Sequence, residues 1–207
     1  FTSQVDNSLV LASTIQTALD AGTSVTITTT NTGTSGSGAG NITIANPLAF
    51  ANNSDNDATL SLIADNGIIQ NTGASITTSA VANKKGLVHV SMEAKGNYQD
   101  TAGSTTNSKG ITLNSTITTN GTVTLTGTSK DTTGVQTVTP YNYGVTNNSR
   151  SGVVFNHGSG ITADNYQVTG THTVAAGNSF GVNGVYMNGA VTFKATGNTD
   201  SNITEIG

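Results

Sequence analysis

The sequence predicts an all-β protein, a right-handed parallel β-helix with loop or hairpin excursions, and three observations support that fold class. Short segments alternate apolar residues with Thr or Ser, which is the pattern of a strand with one buried face. Turn-forming sequences such as Asp65-Asn66-Gly67 separate these segments. A box of Gly, three strand residues and Asn recurs, as in stacked repeat proteins. An antiparallel β-sandwich is the runner-up, because its short strands and turns produce a similar pattern.

One segment, 14–22, is predicted to be helical. Ser13 or Thr14 is its predicted N-cap, its apolar residues share one face, and Gly22 is its predicted C-terminal stop.

Strand and turn are predicted for the rest of the chain. The predicted strands are Ser24–Thr28, Asn41–Ile44, Ala58–Ile63, Gly86–Met92, Thr122–Thr126 and Ala190–Lys194. Their alternation puts an apolar row inside and a Thr or Ser row outside.

The recurring box occurs at 110–114, 152–156 and 184–188. Its last residues, Asn114, Asn156 and Asn188, are predicted to stack as a hydrogen-bonded ladder. The first two boxes are 42 residues apart, which we interpret as two coils of about 20 to 25 residues, and the next two are 32 apart, one coil plus an insertion. About nine such coils would form a rod about 45 Å long.

Two segments, 97–109 and 129–150, interrupt this rhythm and are predicted to be excursions. The second concentrates aromatic residues in an aromatic-poor chain and holds its sole arginine. Because loops on rigid scaffolds are frequent recognition sites, its residues are the receptor-binding candidates: Tyr141, Tyr143, Asn147 and Arg150.

Composition excludes several classes of function. Charged residues make up 9% of the chain and the formal net charge is −4, which argues against nucleic acid or an anionic membrane as partner. Cysteine is absent, so disulfides and Cys-based metal or nucleophile sites are excluded. No apolar run approaches the roughly 20 residues of a membrane span.

The amino-acid sequence of residues 14–27, 40–44 and 60–69 resembles that of exoproteins of two-partner secretion systems, of the filamentous haemagglutinin and high-molecular-weight adhesin type. The resemblance implies a β-helix secreted to the surface of a Gram-negative bacterium through an outer-membrane pore, which binds a host-cell glycan or glycoprotein. We do not find the secretion signal of that family here. Residues 1–207 are therefore expected to be a single β-helix segment from the interior of a larger exoprotein, monomeric as a fragment.

Six Asn-x-Ser/Thr sequons are glycosylation candidates, because the resemblance implies Asn-linked sugars. They begin at Asn41, Asn52, Asn114, Asn120, Asn147 and Asn202. Asn52 and Asn147 lie in polar loop sequence and are the favoured acceptors.

The chain offers few residues for catalysis, so we expect no enzyme and no cofactor. The three histidines lack metal-ligand spacing, and His89 is predicted to point outward from a strand. The one close acidic pair, Asp55 and Asp57, indicates a solvated turn or a weak calcium site. A carbohydrate-active β-helix enzyme, which needs clustered carboxylates, is a minor alternative.

Two further alternatives are non-catalytic. The chain can serve as a spacer of a long exoprotein, without binding anything itself. An ice-binding solenoid is less favoured, because the Thr-x-Thr pairs at 26/28, 122/124 and 124/126 do not recur at one coil length.

Overall fold

A computed structural model describes residues 8–29, 40–96, 110–131, 151–174, 184–197 and 201–206. Within these ranges the chain forms one helix followed by strands alone. The predicted all-β class is confirmed.

The helix, α1, spans Ala12–Asp20 and begins two residues before the predicted segment. Its N-cap is Leu11, without a side-chain hydrogen bond, so the predicted cap at Ser13 or Thr14 is wrong. Ser13 instead lies in the first turn, where its carbonyl accepts a 2.8 Å hydrogen bond from Thr17 Oγ1. Gly22 has a φ of +73°, a left-handed conformation that suits glycine and ends the helix as predicted.

The strands are short, and many have three residues. In chain order they are β1 Val25–Thr28, β2 Ile42–Ile44, β3 Leu48–Phe50, β4 Ala58–Ala64, β5 Ile68–Gln70, β6 Ile76–Thr78, β7 Val88–Ala94, β8 Ile111–Leu113, β9 Thr116–Thr118, β10 Thr122–Asp131, β11 Val153–Phe155, β12 Gly160–Ala163, β13 Asn165–Val174, β14 Val185–Met187, β15 Thr192–Ala195 and β16 Asn202–Ile206.

Every third strand returns to the same sheet, which makes three parallel sheets. The first sheet has the order β1-β4-β7-β10-β13-β16, the second β14-β11-β8-β5-β2 and the third β15-β12-β9-β6-β3. The described pairings are all parallel, as the predicted parallel β-helix requires, and the antiparallel sandwich is excluded. The right-handed sense stays a prediction, supported by the strong right-handed preference of parallel crossovers.

Each recurrence of the box is one coil further along the stack. The second-sheet register pairs Val153 with Ile111 on one side and with Val185 on the other. The spacings of 42 and 32 residues therefore each measure a single coil, and the predicted coil of about 20 to 25 residues is too short. The described residues contain five coils and one strand of a sixth, so at about 4.8 Å per coil they span about 24 Å rather than 45 Å.

One hydrophobic core fills the space between the three sheets. Aligned inward positions stack on one another, as in the row Leu62, Met92, Leu125 and Val168. The alternate residues face outward and are mainly Thr, Ser and Asn, as the period-two pattern predicts.

Strand β10 continues five residues beyond the predicted end at Thr126. Residues 129–131 thus belong to a strand, and the predicted excursion at 129–150 begins after Asp131. Strands β3, β5, β6, β13 and β16 were not predicted. In the first three, three residues are too few to show a period of two. In β13, Gly170 and His172 occupy alternate positions and interrupt the apolar row.

Helix α1 packs against β1 and β3 at the N-terminal end of the stack. Ile15 and Leu19 are buried against the first coil, and the Asp20 carboxylate accepts a 2.6 Å hydrogen bond from the Ala51 amide. Among the described residues, no helix has the length and apolar character to cross a membrane.

Candidate functional site

The corner between the first and second sheets carries the longest connections of the chain, and we call it the insertion corner. Four of its five connections have ten or more residues, and only the turn between β4 and β5 is short. Connections from the second to the third sheet have at most five residues, and those from the third to the first at most nine. The fold therefore puts its sequence insertions on one edge, one above the other.

Both predicted excursions belong to this corner. Residues 97–109 join β7 to β8, and the connection from β10 to β11 contains 132–150. The receptor-binding candidates Tyr141, Tyr143, Asn147 and Arg150 lie outside the described residues. Their flanking residues Asp131 and Ser151 are described, and these assign that connection to the fourth coil.

Close backbone packing at the insertion corner explains the Gly that opens the first two boxes, at Gly110 and Gly152. A Cβ atom at Gly110 would overlap the carbonyl of Gly152, and one at Gly170 would overlap the carbonyl of Gly184. Gly127, on the facing strand of the first sheet, is equally close to Gly152. Glycine is required here because the backbones approach without room for a side chain, both within one coil and between neighbouring coils.

A buried serine–histidine pair lies at the same corner. Ser129 on β10 and His172 on β13 are register partners, and Ser129 Oγ lies 2.6 Å from His172 Nδ1. Both side chains are at most a few per cent exposed, so this hydroxyl does not face solvent. The pair ties together the strand ends from which two long connections leave. Sequence reasoning missed it, since the two residues are 43 positions apart.

Polar side chains also hydrogen-bond to the residues where the first long connection, between β1 and β2, begins and ends. Asn41 Oδ1 accepts hydrogen bonds from Asn66 Nδ2 (2.9 Å) and from the Gly67 amide (3.0 Å). Thr29 Oγ1 donates to the Gly40 carbonyl at 2.9 Å and accepts from the Asp65 amide at 2.9 Å. These bonds hold both ends of the connection from β1 to β2 on the second coil.

The predicted asparagine ladder is confirmed at the corner between the second and third sheets. Asn156 Nδ2 donates to Asn114 Oδ1 at 2.6 Å, and Asn188 Nδ2 donates to Asn156 Oδ1 at 3.1 Å. Asn114 Nδ2 continues the series to the Gln70 carbonyl at 2.8 Å. Each box therefore consists of a close-packed Gly, one strand of the second sheet and one rung of the ladder.

The acidic pair at Asp55 and Asp57 binds backbone amides of the next coil. Asp55 Oδ1 accepts from the Lys85 amide at 3.2 Å, and Asp57 Oδ1 accepts from the Leu87 amide at 2.8 Å. Asp57 Oδ2 also lies 3.7 Å from His89 Nε2, while His89 Nδ1 accepts from the Thr122 amide at 3.0 Å. The two carboxylates thus link neighbouring coils, a role the sequence did not suggest.

Two sequon asparagines have their amide nitrogens occupied. Asn52 is only 3% exposed, and its Nδ2 donates to the carbonyls of Asn56 and Leu87. Asn114 is half-buried, and its Nδ2 belongs to the ladder. Attachment of a sugar to either nitrogen in the folded chain requires these contacts to break, which disfavours Asn52 as the preferred acceptor.

The other sequons differ in accessibility. Asn41 and Asn202 are exposed, although Asn41 Oδ1 accepts a hydrogen bond from Asn66 Nδ2 at the end of the connection from β1 to β2. Asn120 is half-buried and its Oδ1 accepts from the Val88 amide at 2.9 Å. Asn147 lies outside the described residues.

The Thr-x-Thr pairs lie on the outer face of the first sheet. Register places Thr124 beside Ser91 and Gln167, and Thr126 beside Glu93 and Thr169. Thr126, Thr169 and Thr204 follow one another along the stack, but Glu93 and Ile63 precede them in the same row. A threonine lattice therefore does not extend over all the described strands.

Comparison of the chain with protein-family models, with curated proteins and with solved structures finds no match.

Proposed function

We propose that this chain is a non-catalytic segment of a bacterial surface adhesin, which holds receptor-binding loops on a rigid β-helix. The observation that supports this proposal most directly is that four long connections leave from one corner, while the other two corners have shorter turns. Binding residues are found disproportionately on loops that a rigid scaffold positions. Three of them, after β7, β10 and β13, leave from successive coils about one coil rise apart, close enough for one extended ligand to meet several of them.

The scaffold is built to keep that corner in place. The serine–histidine pair, the glycine packing and the Asn41 contacts each join neighbouring coils where the connections begin. Little charge is available on the described faces, so recognition through hydroxyl, amide and aromatic groups is favoured over recognition through ion pairs. Such groups suit a host-cell glycan or glycoprotein. Together with the resemblance to two-partner secretion exoproteins, this favours a secreted location and export through an outer-membrane pore.

Binding of the purified chain to a glycan array and to epithelial cells tests the proposal. We expect saturable, sugar-specific binding that is lost when Tyr141, Tyr143 and Arg150 are replaced together by Ala. Far-UV circular dichroism should remain of β type in that variant. A control replaces Lys84 and Lys85, two exposed cations on the connection between the third and first sheets, and should bind as the parent does. Retained binding by the triple variant would remove the connection from β10 to β11 as the contact.

The spacer function is the second candidate, and the same experiment separates it. The ladder and the continuous core give a rod whose stiffness does not depend on the long connections. A folded chain that binds neither glycans nor cells would support the spacer and overturn the adhesive proposal.

Glycosylation is proposed for the accessible sequons. Of those in the described residues, Asn202 has an exposed side chain on the outer face of β16 and is the preferred acceptor. Peptide mass spectrometry of protein from a host with the cognate glycosyltransferase should find sugar on Asn202 and none on Asn52. Occupancy of Asn52 would mean that the sugar is added before the chain folds.

A further inference from the structure

The sequence Asn-Gly occurs at three places in the described residues, Asn66–Gly67, Asn120–Gly121 and Asn188–Gly189. In this sequence an asparagine readily loses its side-chain ammonia, because glycine leaves the next backbone nitrogen sterically open. That nitrogen gives its proton to hydroxide and attacks the side-chain carbon Cγ. A C–N bond forms, the Cγ–Nδ2 bond breaks and ammonia leaves. Water then opens the cyclic imide to aspartate, or to isoaspartate, whose main chain is one atom longer.

At Asn66–Gly67, one acceptor holds both nitrogens of this reaction. Asn41 Oδ1 accepts hydrogen bonds from Asn66 Nδ2 at 2.9 Å and from the Gly67 amide at 3.0 Å. The first donor is the leaving group of the reaction, and the second is its nucleophile. While both bonds persist, the Gly67 nitrogen keeps its proton and its N–H bond points at Asn41. The contact therefore blocks the first step of the reaction.

Backbone hydrogen bonds and burial hold the same turn in place. The Asn66 amide donates to the Gly40 carbonyl at 3.0 Å, and the Ile42 amide donates to the Gly67 carbonyl at 2.9 Å. On the other side, the Gly96 amide donates to the Asn66 carbonyl at 2.9 Å. These bonds join the first, second and third coils. Asn66 is 3% exposed and Gly67 is buried, so the hydroxide that the reaction needs is kept away.

The step at Asn120–Gly121 has a different arrangement and lies inside the stack, with coils on both sides. The Gly121 amide donates to Thr119 Oγ1 at 3.3 Å, whereas Asn120 makes its contact through Oδ1, which accepts from the Val88 amide. Within the described ranges, the two reacting nitrogens of this step share no acceptor. Asn120 is also half-buried, and water reaches it more easily than it reaches Asn66. This step therefore provides a comparison within the same molecule.

We propose that Asn66 is a latent deamidation site, which Asn41 keeps unreactive for as long as the connection from β1 to β2 stays bound to the second coil. Asn41 lies where that connection ends, so its detachment releases both reacting nitrogens. Isoaspartate at this position lengthens the main chain just before Ile68, which is fully buried on β5. The original contacts then no longer fit. The reaction thus makes a detachment of the first long connection irreversible.

Peptide mass spectrometry of the whole chain, after incubation at mildly alkaline pH, tests the proposal by counting aspartate and isoaspartate at each Asn-Gly step. In the folded parent we expect conversion at Asn120 but little at Asn66, and in urea similar rates at both. Asn41→Ala should raise the rate at Asn66 about 10- to 100-fold, the effect of losing two ordinary hydrogen bonds. Asn41→Asp is the matched control, because its carboxylate still accepts both N–H groups, and Asn66 should stay intact. Equal rates at Asn66 in the folded parent and in urea, or in the two variants, would overturn the proposal.

Conversion at Asn120 in the same samples shows whether a variant has unfolded. Local release at Asn41 leaves Asn120 at its parent rate, whereas global unfolding raises Asn120 to its rate in urea. If Asn41→Ala unfolds, Asn41→Ser replaces it, since a serine hydroxyl is polar but too short to accept from both donors. A rise at both sites in both variants would overturn the proposal, because Asn41 would then stabilise the whole stack. Receptor binding is not part of this measurement, so its result is independent of the adhesive function.

Discussion

Asn156→Ala tests whether the asparagine ladder stabilises the stack. Asn156 is the central rung, since it donates to Asn114 at 2.6 Å and accepts from Asn188 at 3.1 Å. A net contribution of about 0.5 to 1.5 kcal/mol for each hydrogen bond predicts a loss of about 1 to 3 kcal/mol in the free energy of unfolding. Asn114 is half-buried and Asn188 is exposed, so water can replace part of the lost bonding. We therefore expect about 1 to 2 kcal/mol.

Urea denaturation followed by circular dichroism measures this loss. Asn71→Ala is the matched control, because Asn71 is an exposed asparagine at the same corner, one coil before the ladder. It should change the free energy of unfolding by less than about 0.5 kcal/mol. A double-mutant cycle with Asn114→Ala then isolates the coupling between two rungs. Equal losses for Asn156→Ala and Asn71→Ala, or no coupling to Asn114, would refute the ladder as a source of stability.

Three further substitutions test the core, the insertion corner and the acidic pair. Leu125→Ala removes a fully buried side chain and should lower the free energy of unfolding, measured by urea denaturation, by about 2 to 5 kcal/mol. Thr126 is exposed, so a similarly large loss for Thr126→Ala would contradict the assigned strand faces. Gly110→Ala should lower Tm more than Gly158→Ala, because its Cβ meets the backbone of Gly152. Gly158→Ala meets no atom within 4 Å and costs only the strain of a φ of +78°, about 1 to 2 kcal/mol. Equal Tm values would contradict the close coil packing. Asp57→Ala removes the acceptor of the Leu87 amide and should lower the free energy of unfolding by about 1 kcal/mol, a modest value because the carboxylate is 57% exposed. Hydrogen exchange should become faster at the Leu87 amide, while the Val123 amide stays protected. Unchanged exchange at Leu87 would refute the contact.

The sequence alone determined the fold class, because the determinants are local. Alternation of apolar residues with Thr or Ser specifies strands with one buried face, and the recurring Gly and Asn specify a stack of equivalent coils. The ladder followed from the same reasoning, since identical residues at equivalent positions of parallel coils must lie above one another. The end of the helix at Gly22 was also predictable from local sequence, because a glycine that follows an apolar helical face readily adopts the left-handed conformation that ends a helix.

Tertiary structure alone decided the coil length and the functional edge. A spacing of 42 residues fits two short coils as well as one coil with a long insertion, and only strand pairing distinguishes them. The burial of Asn52, the Ser129–His172 pair and the amide contacts of Asp57 each join residues about 30 to 43 positions apart. Such contacts depend on which residues the register places side by side. Local sequence carries no signal of that register, because insertions of different length separate the coils.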